Sequence, residues 1–271
     1  MTKLLAKAPD ETIPVYAFIH THVEEGLNLV LSDILMSMEQ SGLYADATRV
    51  TVAVVGAGID RVESLVHSFG SRFSKVKAVQ SHQDKLTWEL GTINHLRAFA
   101  QRVLKRQNNK AKGAHLLYVN TKGMFKEHGD YVAKWFWRKL LGHWVIGHHR
   151  EARQLLIWGY DAVGSNAVNQ DVAEFSAKMR VNPRHAWHYS GNWWWATAHH
   201  VARLPKLDID REIDQVDRCQ AENLVLSLLP DMCAGLLHQS ASTHVYDLQS
   251  LPSLRGIDEA AVLGTLVSGS R

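Results

Sequence analysis

The chain has 271 residues, 46% of them hydrophobic and 21% charged, which suits one compact globular domain with ample length to bury a core. No apolar run approaches the roughly 20 residues of a membrane span, no secretory apolar segment opens the chain, and two cysteines cannot form a disulfide framework. The low cysteine count favours a reducing cytoplasm. With a formal net charge of +3 and no concentrated basic run, we expect no nucleic-acid partner and at most a peripheral association with membranes.

The first half of the chain alternates short apolar runs with amphipathic segments. The predicted strands cover residues 13–20, 49–56, 76–80 and 114–120. The predicted helices cover residues 24–41, 60–69 and 85–106, where apolar residues recur at helical spacing. Strands that alternate with helices predict an α/β fold with a mainly parallel sheet and helices on both faces.

Ligands of such sheets bind beyond the carboxyl ends of the strands. The polar residues at those ends lie in three segments, His20-Thr21-His22, Gly56-Ala57-Gly58 and Asn120-Thr121-Lys122-Gly123. We therefore expect these three loops to come together.

The second half of the chain is less regular. Helices are predicted at 131–141, 149–158 and 215–229, with a strand and its turn at 159–168 and a short helix before Pro205. No internal repeat and no low-complexity linker divides the sequence, so one domain is expected.

The glycines after the second strand suggest a dinucleotide-binding turn, but the pattern is incomplete. Gly56 and Gly58 follow the strand, whereas Arg61 stands where the third glycine of the fingerprint should be. An ordinary strand-to-helix turn is the better interpretation.

Metal-binding patterns are also incomplete. The close histidine pairs have no H-E-x-x-H motif or cysteine pair beside them, and His143 and His148 are five residues apart, which does not place them on one face of an α-helix. Asp208-x-Asp210 has the form of a D-x-D cation site, but it follows Pro205 and reads as a loop that leads into a helix, with one aspartate as N-cap.

The stretch "HYSGNWWWATAHH" (188–200) raises a packing question, because side chains of an extended segment alternate between two faces. Gly191 and Asn192 tolerate a positive φ, so a turn there lets the three tryptophans face different neighbours. One of them can then offer a flat apolar face to a sugar or base. The alternative is that all three serve packing alone.

Four segments together resemble a family of small GT-A-type glycosyltransferases found in bacterial surface-polysaccharide loci and some large DNA viruses. They are "YVNTKG" (118–123), "YDAVGSN" (160–166), "HYSGNWWWATAHHVARLP" (188–205) and "AENLV" (221–225). The family's typical motifs are HTKG, D-x-VG-x-N and H-[YF]-SGN-[FW]-WWA, and their order and approximate spacing match from about Ile13 to Leu229.

The resemblance implies a GT-A-like single domain. Its residues 13–123 would hold the nucleotide, residues 124–235 would shape the donor sugar and the acceptor, and residues 236–271 would form a tail. The donor-binding residues implied are His20, Thr21, Glu89, Thr92, Asn120, Thr121, Lys122 and Gly123. Gly91 stands where the family has proline, which loosens the start of that helix.

The segment "TKG" stands where other GT-A enzymes have D-x-D. Lys122 would offset diphosphate charge as a point cation, and Asn120 replaces the usual histidine, which removes a titratable group. We therefore expect no metal site and an enzyme that needs no cofactor or depends only weakly on metal, with Mg²⁺ or Mn²⁺ as the alternative.

The resemblance also implies residues that contact the donor sugar and the acceptor: Asn166, Tyr189, Ser190, Gly191, Asn192, Trp193 and Trp194. Hydrogen bonds from Ser190 and Asn192 to sugar hydroxyls would give specificity. The alternative for Asp161 and Asn166 is turn chemistry, since both residue types cap their own backbone.

Glu222 is the candidate catalytic base, because many inverting GT-A enzymes have a carboxylate near this point of the chain and a half-buried Glu has a raised pKa. Asp161 and His188 are the reserve candidates. The alternative for Glu222 is a structural role at a helix end, paired with Arg218.

The resulting hypothesis is a glycosyltransferase, weakly favoured as inverting, that moves a hexose from a nucleotide-sugar donor to a glycan or lipid-linked acceptor in O-antigen or capsule biosynthesis. Two alternatives stay open. One is a non-catalytic nucleotide-sugar or carbohydrate-binding protein on a decayed transferase fold, and the other is a metal-dependent hydrolase that uses the histidines.

Overall fold

The computed structural model of the protein describes residues 13–23, 26–107, 113–121, 131–169, 187–210, 221–228 and 231–239. These residues form a mixed α/β fold in which a mostly parallel central sheet has helices packed against it. The fold class predicted from the alternation of strands and helices is confirmed.

The first half follows the predicted order of elements closely. Its strands are β1 (Val15–His22), β2 (Arg49–Val55), β3 (Val76–His82) and β4 (His115–Asn120). Its helices are α1 (Leu27–Gln40), α2 (Leu43–Asp46), α3 (Ile59–Ser68) and α4 (Trp88–Arg106). The apolar residues that predicted α1 are all buried, namely Leu27, Val30, Leu31, Ile34, Leu35 and Met38.

The second half contains more short elements. Its helices are α5 (Tyr131–Leu141), α6 (His149–Ile157) and α7 (Ala198–Arg203), and its strands are β5 (Ala162–Ser165), β6 (Ala167–Asn169), β7 (Trp187–Tyr189), β8 (Trp194–Thr197) and β9 (Ala234–His238). The predicted helix 215–229 is described only over 221–228, as one helical turn followed by a 3-10 helix at Leu224–Leu226. No helix within the described ranges is long and apolar enough to cross a membrane.

The central sheet has the strand order β3-β2-β1-β4-β8-β5-β9, and β6 pairs with β7 separately. Strand β8 runs antiparallel to both β4 and β5, whereas the other neighbouring pairs of the central sheet are parallel. Strands β1 to β5 and β9 therefore end at one edge of the sheet, the carboxyl edge, and β8 begins there.

The sheet is buried on both faces, and this answers the packing question that the tryptophans raise. Trp193 and Trp195 lie in the hydrophobic cluster on one face, together with α1 and α6 residues. Trp194 lies in the cluster on the other face, with residues of α4 and α7. The side chains of this stretch do alternate, and each face offers a core.

The segment between α5 and α6 is a π-helix, Gly142–Gly147. Hydrogen bonds in a π-helix join residues five apart, so residues at that spacing come close together. The ring centroids of His143 and His148 are 5.0 Å apart. The expectation that these two imidazoles lie apart is wrong, because it assumed α-helical geometry.

Candidate functional site

The ends of β1 and β4 lie side by side at the carboxyl edge, with His20 paired in register with Asn120. The Thr121 amide donates to the His20 carbonyl at 3.0 Å, and the Thr121 hydroxyl donates to Thr21 Oγ1 at 3.0 Å. These polar residues are buried, so they form the inner layer of the site at the carboxyl edge. Two of the predicted loops thus meet in the structure, and Lys122 and Gly123 lie outside the described residues.

The first turns of α4 bring two further predicted residues, Glu89 and Thr92, to this edge. Thr92 Oγ1 lies 2.8 Å from His20 Nδ1 and 3.1 Å from Ser81 Oγ. Hydrogen bonds therefore tie α4 to the ends of both β1 and β3.

Gly91 allows α4 to start this close to the sheet. A Cβ at Gly91 would lie 2.9 Å from the His82 Cβ and 3.0 Å from the Thr87 hydroxyl oxygen. There is no room for a side chain, so glycine, where the family that the sequence resembles has proline, permits a close approach of the helix to β3.

Glu89 accepts hydrogen bonds from three side chains at the centre of the edge. Tyr118 Oη donates to Oε2 at 3.0 Å, Asn120 Nδ2 donates to Oε1 at 3.1 Å, and Asn192 Nδ2 also donates to Oε2. Asn120 Nδ2 makes a further bond of 3.1 Å to the Gly191 carbonyl. A half-buried carboxylate thus connects α4, β4 and the turn before β8.

That turn has the backbone predicted from its sequence. Gly191 has φ 81° and Asn192 has φ 56°, both left-handed. A Cβ on Gly191 would lie 2.6 Å from the Leu141 Cδ1, so the turn also packs directly against α5. Asn192 is fully buried, and its Oδ1 accepts a hydrogen bond of 2.8 Å from Trp194 Nε1.

The three tryptophans are only 0–2% exposed. Trp193 Nε1 donates to Asn120 Oδ1 at 3.1 Å, and Trp195 Nε1 donates to the Val145 carbonyl at 2.7 Å. Trp194 stacks on Tyr118 with ring centroids 5.1 Å apart. None of the three rings has an open face in this structure, so they support the edge from within the core.

Glu222 is half-buried and acts electrostatically on the same site. Burial raises the pKa of the Tyr118 phenol well above its usual value, and the negative charges of Glu89 and Glu222 raise it further. Tyr118 therefore remains protonated and keeps donating to Glu89. The carbonyl of Ala221, next to Glu222, lies 3.5 Å from Asn192 Nδ2.

The predicted sugar-binding residues outside the turn gather at the end of β5. Asn166 is buried with φ 53°, and its carbonyl accepts from the Ser190 amide at 2.9 Å. The ring of Tyr189 packs on Gly164, where a Cβ would lie 2.4 Å from it. His188, also buried, pairs with Val168 between β6 and β7.

Asp161 lies at the opposite edge of the sheet, because it precedes the first residue of β5. Its Oδ2 accepts from the Cys233 amide at 2.9 Å, and its carbonyl accepts from the Thr197 amide at 3.0 Å. The structure thus does not bring Asp161 together with Glu89 and Glu222, and its side chain instead connects the start of β5 to the residue before β9.

Sequence reasoning missed Trp88 and the role of Tyr118. Trp88 is half-buried, has a positive φ of 47°, and its ring centroid lies 6.1 Å from that of His22. A positive φ is a genuine outlier for a bulky residue, and such strain is concentrated at functional sites. No sequence signal indicates it, since nothing in "KLTWEL" requires a left-handed residue.

Candidate cation ligands are few in the described parts of the chain. No group of three or more His, Cys, Asp or Glu residues there is arranged to hold a metal ion. The Asp210 amide donates to Asp208 Oδ1 at 3.3 Å, so the pair forms a local turn. The helix that one of these aspartates was predicted to cap lies outside the described residues.

No known family profile matches the chain, and no curated protein sequence matches it. Among solved structures, it is similar to a 4-diphosphocytidyl-2C-methyl-D-erythritol synthase from Anaerococcus prevotii DSM 20548, with 12% identity and a TM-score of 0.46 over 84% of this chain and 90% of that one. It is also similar to the galactosyltransferase LgtC, solved with donor and acceptor sugar analogs, with 10% identity and a TM-score of 0.40 over 81% of this chain and 72% of that one. At such identities and scores the likeness describes the general α/β arrangement alone.

Proposed function

We propose that this protein is a glycosyltransferase that moves a sugar from a nucleotide-sugar donor to a hydroxyl of a glycan or lipid-linked acceptor in surface-polysaccharide biosynthesis. One observation carries the proposal. Residues from distant segments that the resemblance assigns to the donor site (His20, Glu89, Asn120) and to the sugar and acceptor site (Asn192) are hydrogen-bonded to each other or to their neighbours at one edge of the sheet. An edge of this kind is where open α/β sheets bind their ligands.

In this proposal the nucleotide lies over the ends of β1 and β4. His20, Thr21, Thr92, Asn120 and Thr121 form the buried floor of that region, and Glu89 and His22 reach its surface. Lys122 would neutralise part of the diphosphate charge as it follows Thr121 in the chain. The donor sugar would lie toward Ser190 and Asn166.

Glu222 is proposed as the base of an inverting transfer. The acceptor oxygen attacks the anomeric carbon, its proton passes to the Glu222 carboxylate, and the bond from the anomeric carbon to the diphosphate oxygen breaks. The nucleoside diphosphate leaves with the negative charge. His188 is the reserve candidate that lies near the end of β5.

A glutamine at position 222 tests that assignment. Glu222→Gln should lower turnover by on the order of a hundredfold or more, with nucleotide binding retained, because the amide cannot take up the proton. Glu63→Gln, on the exposed side of α3, is the matched control. Near-normal turnover of the Glu222 variant would remove this residue from the mechanism.

The transfer is proposed to be independent of metal or only weakly dependent on it. Donor turnover should therefore persist in a chelator. Complete loss that only Mn²⁺ or Mg²⁺ restores would overturn this part of the proposal and leave the transferase assignment intact.

The function itself is tested with a panel of nucleotide sugars. We expect one donor to raise the Tm in a thermal-shift assay and to be hydrolysed slowly in the absence of acceptor. A donor that binds without any hydrolysis or transfer would favour the non-catalytic binding protein instead. No binding by any nucleotide sugar would refute both.

A further inference from the structure

Four aromatic rings pack together where the π-helix, the start of α6 and β9 meet. Trp144 stacks on His148 at 4.8 Å and on His238 at 4.5 Å between ring centroids, with interplanar angles of 24° and 2°. His143 contacts both Trp144 and His148 edge-on, at 4.9 and 5.0 Å. We call His143, Trp144, His148 and His238 the ring cluster.

The ring cluster lies at the carboxyl edge of the sheet. His238 is the last residue of β9, and it is paired in register with Ser165, the last residue of β5. Strands β4 and β9 are three positions apart in the sheet, which at about 4.8 Å per strand is roughly 14 Å. The ring cluster therefore lies at the same edge of the sheet as Glu89, on the side away from β1. Trp144 packs on the face that carries α1 and α6, whereas α4 packs on the other face.

The ring cluster is accessible, unlike the tryptophan triplet. His143 is exposed, and the other three residues are half-buried. Each indole N–H of the triplet donates to a protein oxygen, but Trp144 Nε1 has no hydrogen-bond partner among the described residues. Trp144 is thus held by stacking on His148 and His238, while its buried Nε1 makes no hydrogen bond with the described residues.

The backbone is distorted to assemble these rings. In an α-helix, His143 and His148 would point in different directions, and the π-helix brings them into contact. π-helical turns are rare and are frequent at functional sites. This gives a reason for the irregular segment other than packing.

The electrostatics of the ring cluster favour a neutral ligand. Partial desolvation lowers the pKa of His143, which stays largely exposed, and of half-buried His238, and a neighbouring imidazole lowers each pKa further. A neutral imidazole has one donor and one acceptor nitrogen, which matches the hydroxyl groups of a sugar. Glu151 Oε1 lies 3.5 Å from His148 Nδ1, and its negative charge disfavours an anion.

We propose that the ring cluster is the acceptor subsite, where aromatic faces pack on an uncharged pyranose and imidazole nitrogens exchange hydrogen bonds with its hydroxyls. This inference rests on the proposed transferase function, and it assigns acceptor binding to residues that neither the motifs nor the resemblance include. It also replaces the tryptophan triplet as the aromatic surface that meets a sugar.

The test is an NMR titration of the histidine Cε1–H resonances of the full chain, assigned with His143→Gln, His148→Gln and His238→Gln. The probes are methyl galactoside, methyl glucoside, lactose and maltose, and UDP in a separate arm. We expect at least one saccharide to shift the ring-cluster resonances and to leave that of His67, exposed on α3, unchanged. UDP should shift the resonances of His20 or His22 instead.

Trp144→Ala should weaken the saccharide response by about tenfold or more, as expected for a central aromatic contact. Trp144→Phe, which keeps one aromatic ring but removes the pyrrole ring with its N–H, should retain most of it. Trp158→Ala is the matched control. This exposed tryptophan follows the last residue of α6, where the chain returns to the opposite edge of the sheet from the ring cluster.

The two proposals fail in different ways. Shifts with UDP and none with any saccharide would overturn the acceptor subsite and leave the transferase function standing. Equal shifts at His67 and the ring cluster would mean non-specific binding and would also overturn the subsite. Saccharide shifts at the ring cluster without any response to UDP or to nucleotide sugars would support carbohydrate binding there and refute nucleotide-dependent transfer.

Discussion

Replacing Glu89 with glutamine tests whether this carboxylate organises the carboxyl edge. In the structure Glu89 accepts from Tyr118, Asn120 and Asn192. Glutamine has one acceptor oxygen and one NH₂ group, so an amide nitrogen must face at least one of these donors. Glu89→Gln therefore leaves a buried donor unpaired and weakens the remaining bonds, which lose their charge.

The magnitude follows from these contacts. A buried unpaired donor costs about 1–3 kcal/mol, and the loss of charge assistance on two bonds adds about 1 kcal/mol. Since Glu89 is half-buried, we expect a total of about 3 kcal/mol, which lowers the Tm by roughly 6–12 °C in a chain of this size. Differential scanning calorimetry measures the change, with Glu63→Gln on exposed α3 as the matched control.

A double variant tests whether the stability depends on matched hydrogen-bond donors and acceptors or on the negative charge being at position 89. In Glu89→Gln with Asn192→Asp, the amide introduced at position 89 can donate to the carboxylate introduced at position 192, which restores one complementary pair. We expect the Tm of this double variant to recover at least half of the decrease that Glu89→Gln causes. A Tm for Glu89→Gln within about 1 °C of the parent, or a double variant less stable than the single one, would refute the reasoning.

Gly91→Ala should lower the free energy of unfolding by about 1–3 kcal/mol, because the added methyl group overlaps the His82 Cβ. Inside a helix the same change usually raises the free energy of unfolding by about 1 kcal/mol. Gly142→Ala, where a Cβ meets nothing within 4 Å, is the control in urea unfolding; equal effects at both glycines would contradict the close approach. The free energy of unfolding should also fall as the pH drops below about 6.5, because the unfolded chain protonates several imidazoles more readily than the folded protein. The histidines whose folded pKa is lowered are His95, His143, His149, His200 and His238. A Tm that is the same at about pH 7.5 and about pH 5.5 would contradict this prediction.

The first half of the fold was predictable because its signals are local. Strand β2 is a run of β-branched residues, and α1 repeats its apolar residues at helical spacing, so both appear close to their predicted limits. Parallel strands also end at a common edge, which is why the meeting of His20 with Asn120 and Thr121 could be foreseen.

Long-range pairing was not predictable. Nothing in "NWWWAT" indicates that it inserts between β4 and β5, so the burial of all three indoles stood only as the alternative to a sugar-binding face. The π-helix was missed because it breaks the periodicity on which helix prediction depends. Tyr118 looked like an ordinary strand residue, and its bond to Glu89 depends on α4 approaching the sheet at Gly91.

The reversed direction of β8 has a consequence for how the chain can be divided. The most buried strand of the first half, β4, has β8 as its partner on one side, and about seventy residues of sequence separate the two. A fragment that stops after β4 would present "HLLYVN", all of it buried in the intact protein, as a bare sheet margin prone to self-association. The portions of sequence that resemble a nucleotide half and an acceptor half therefore share one sheet. A chimera that exchanges either portion between proteins would also have to include the antiparallel strand β8.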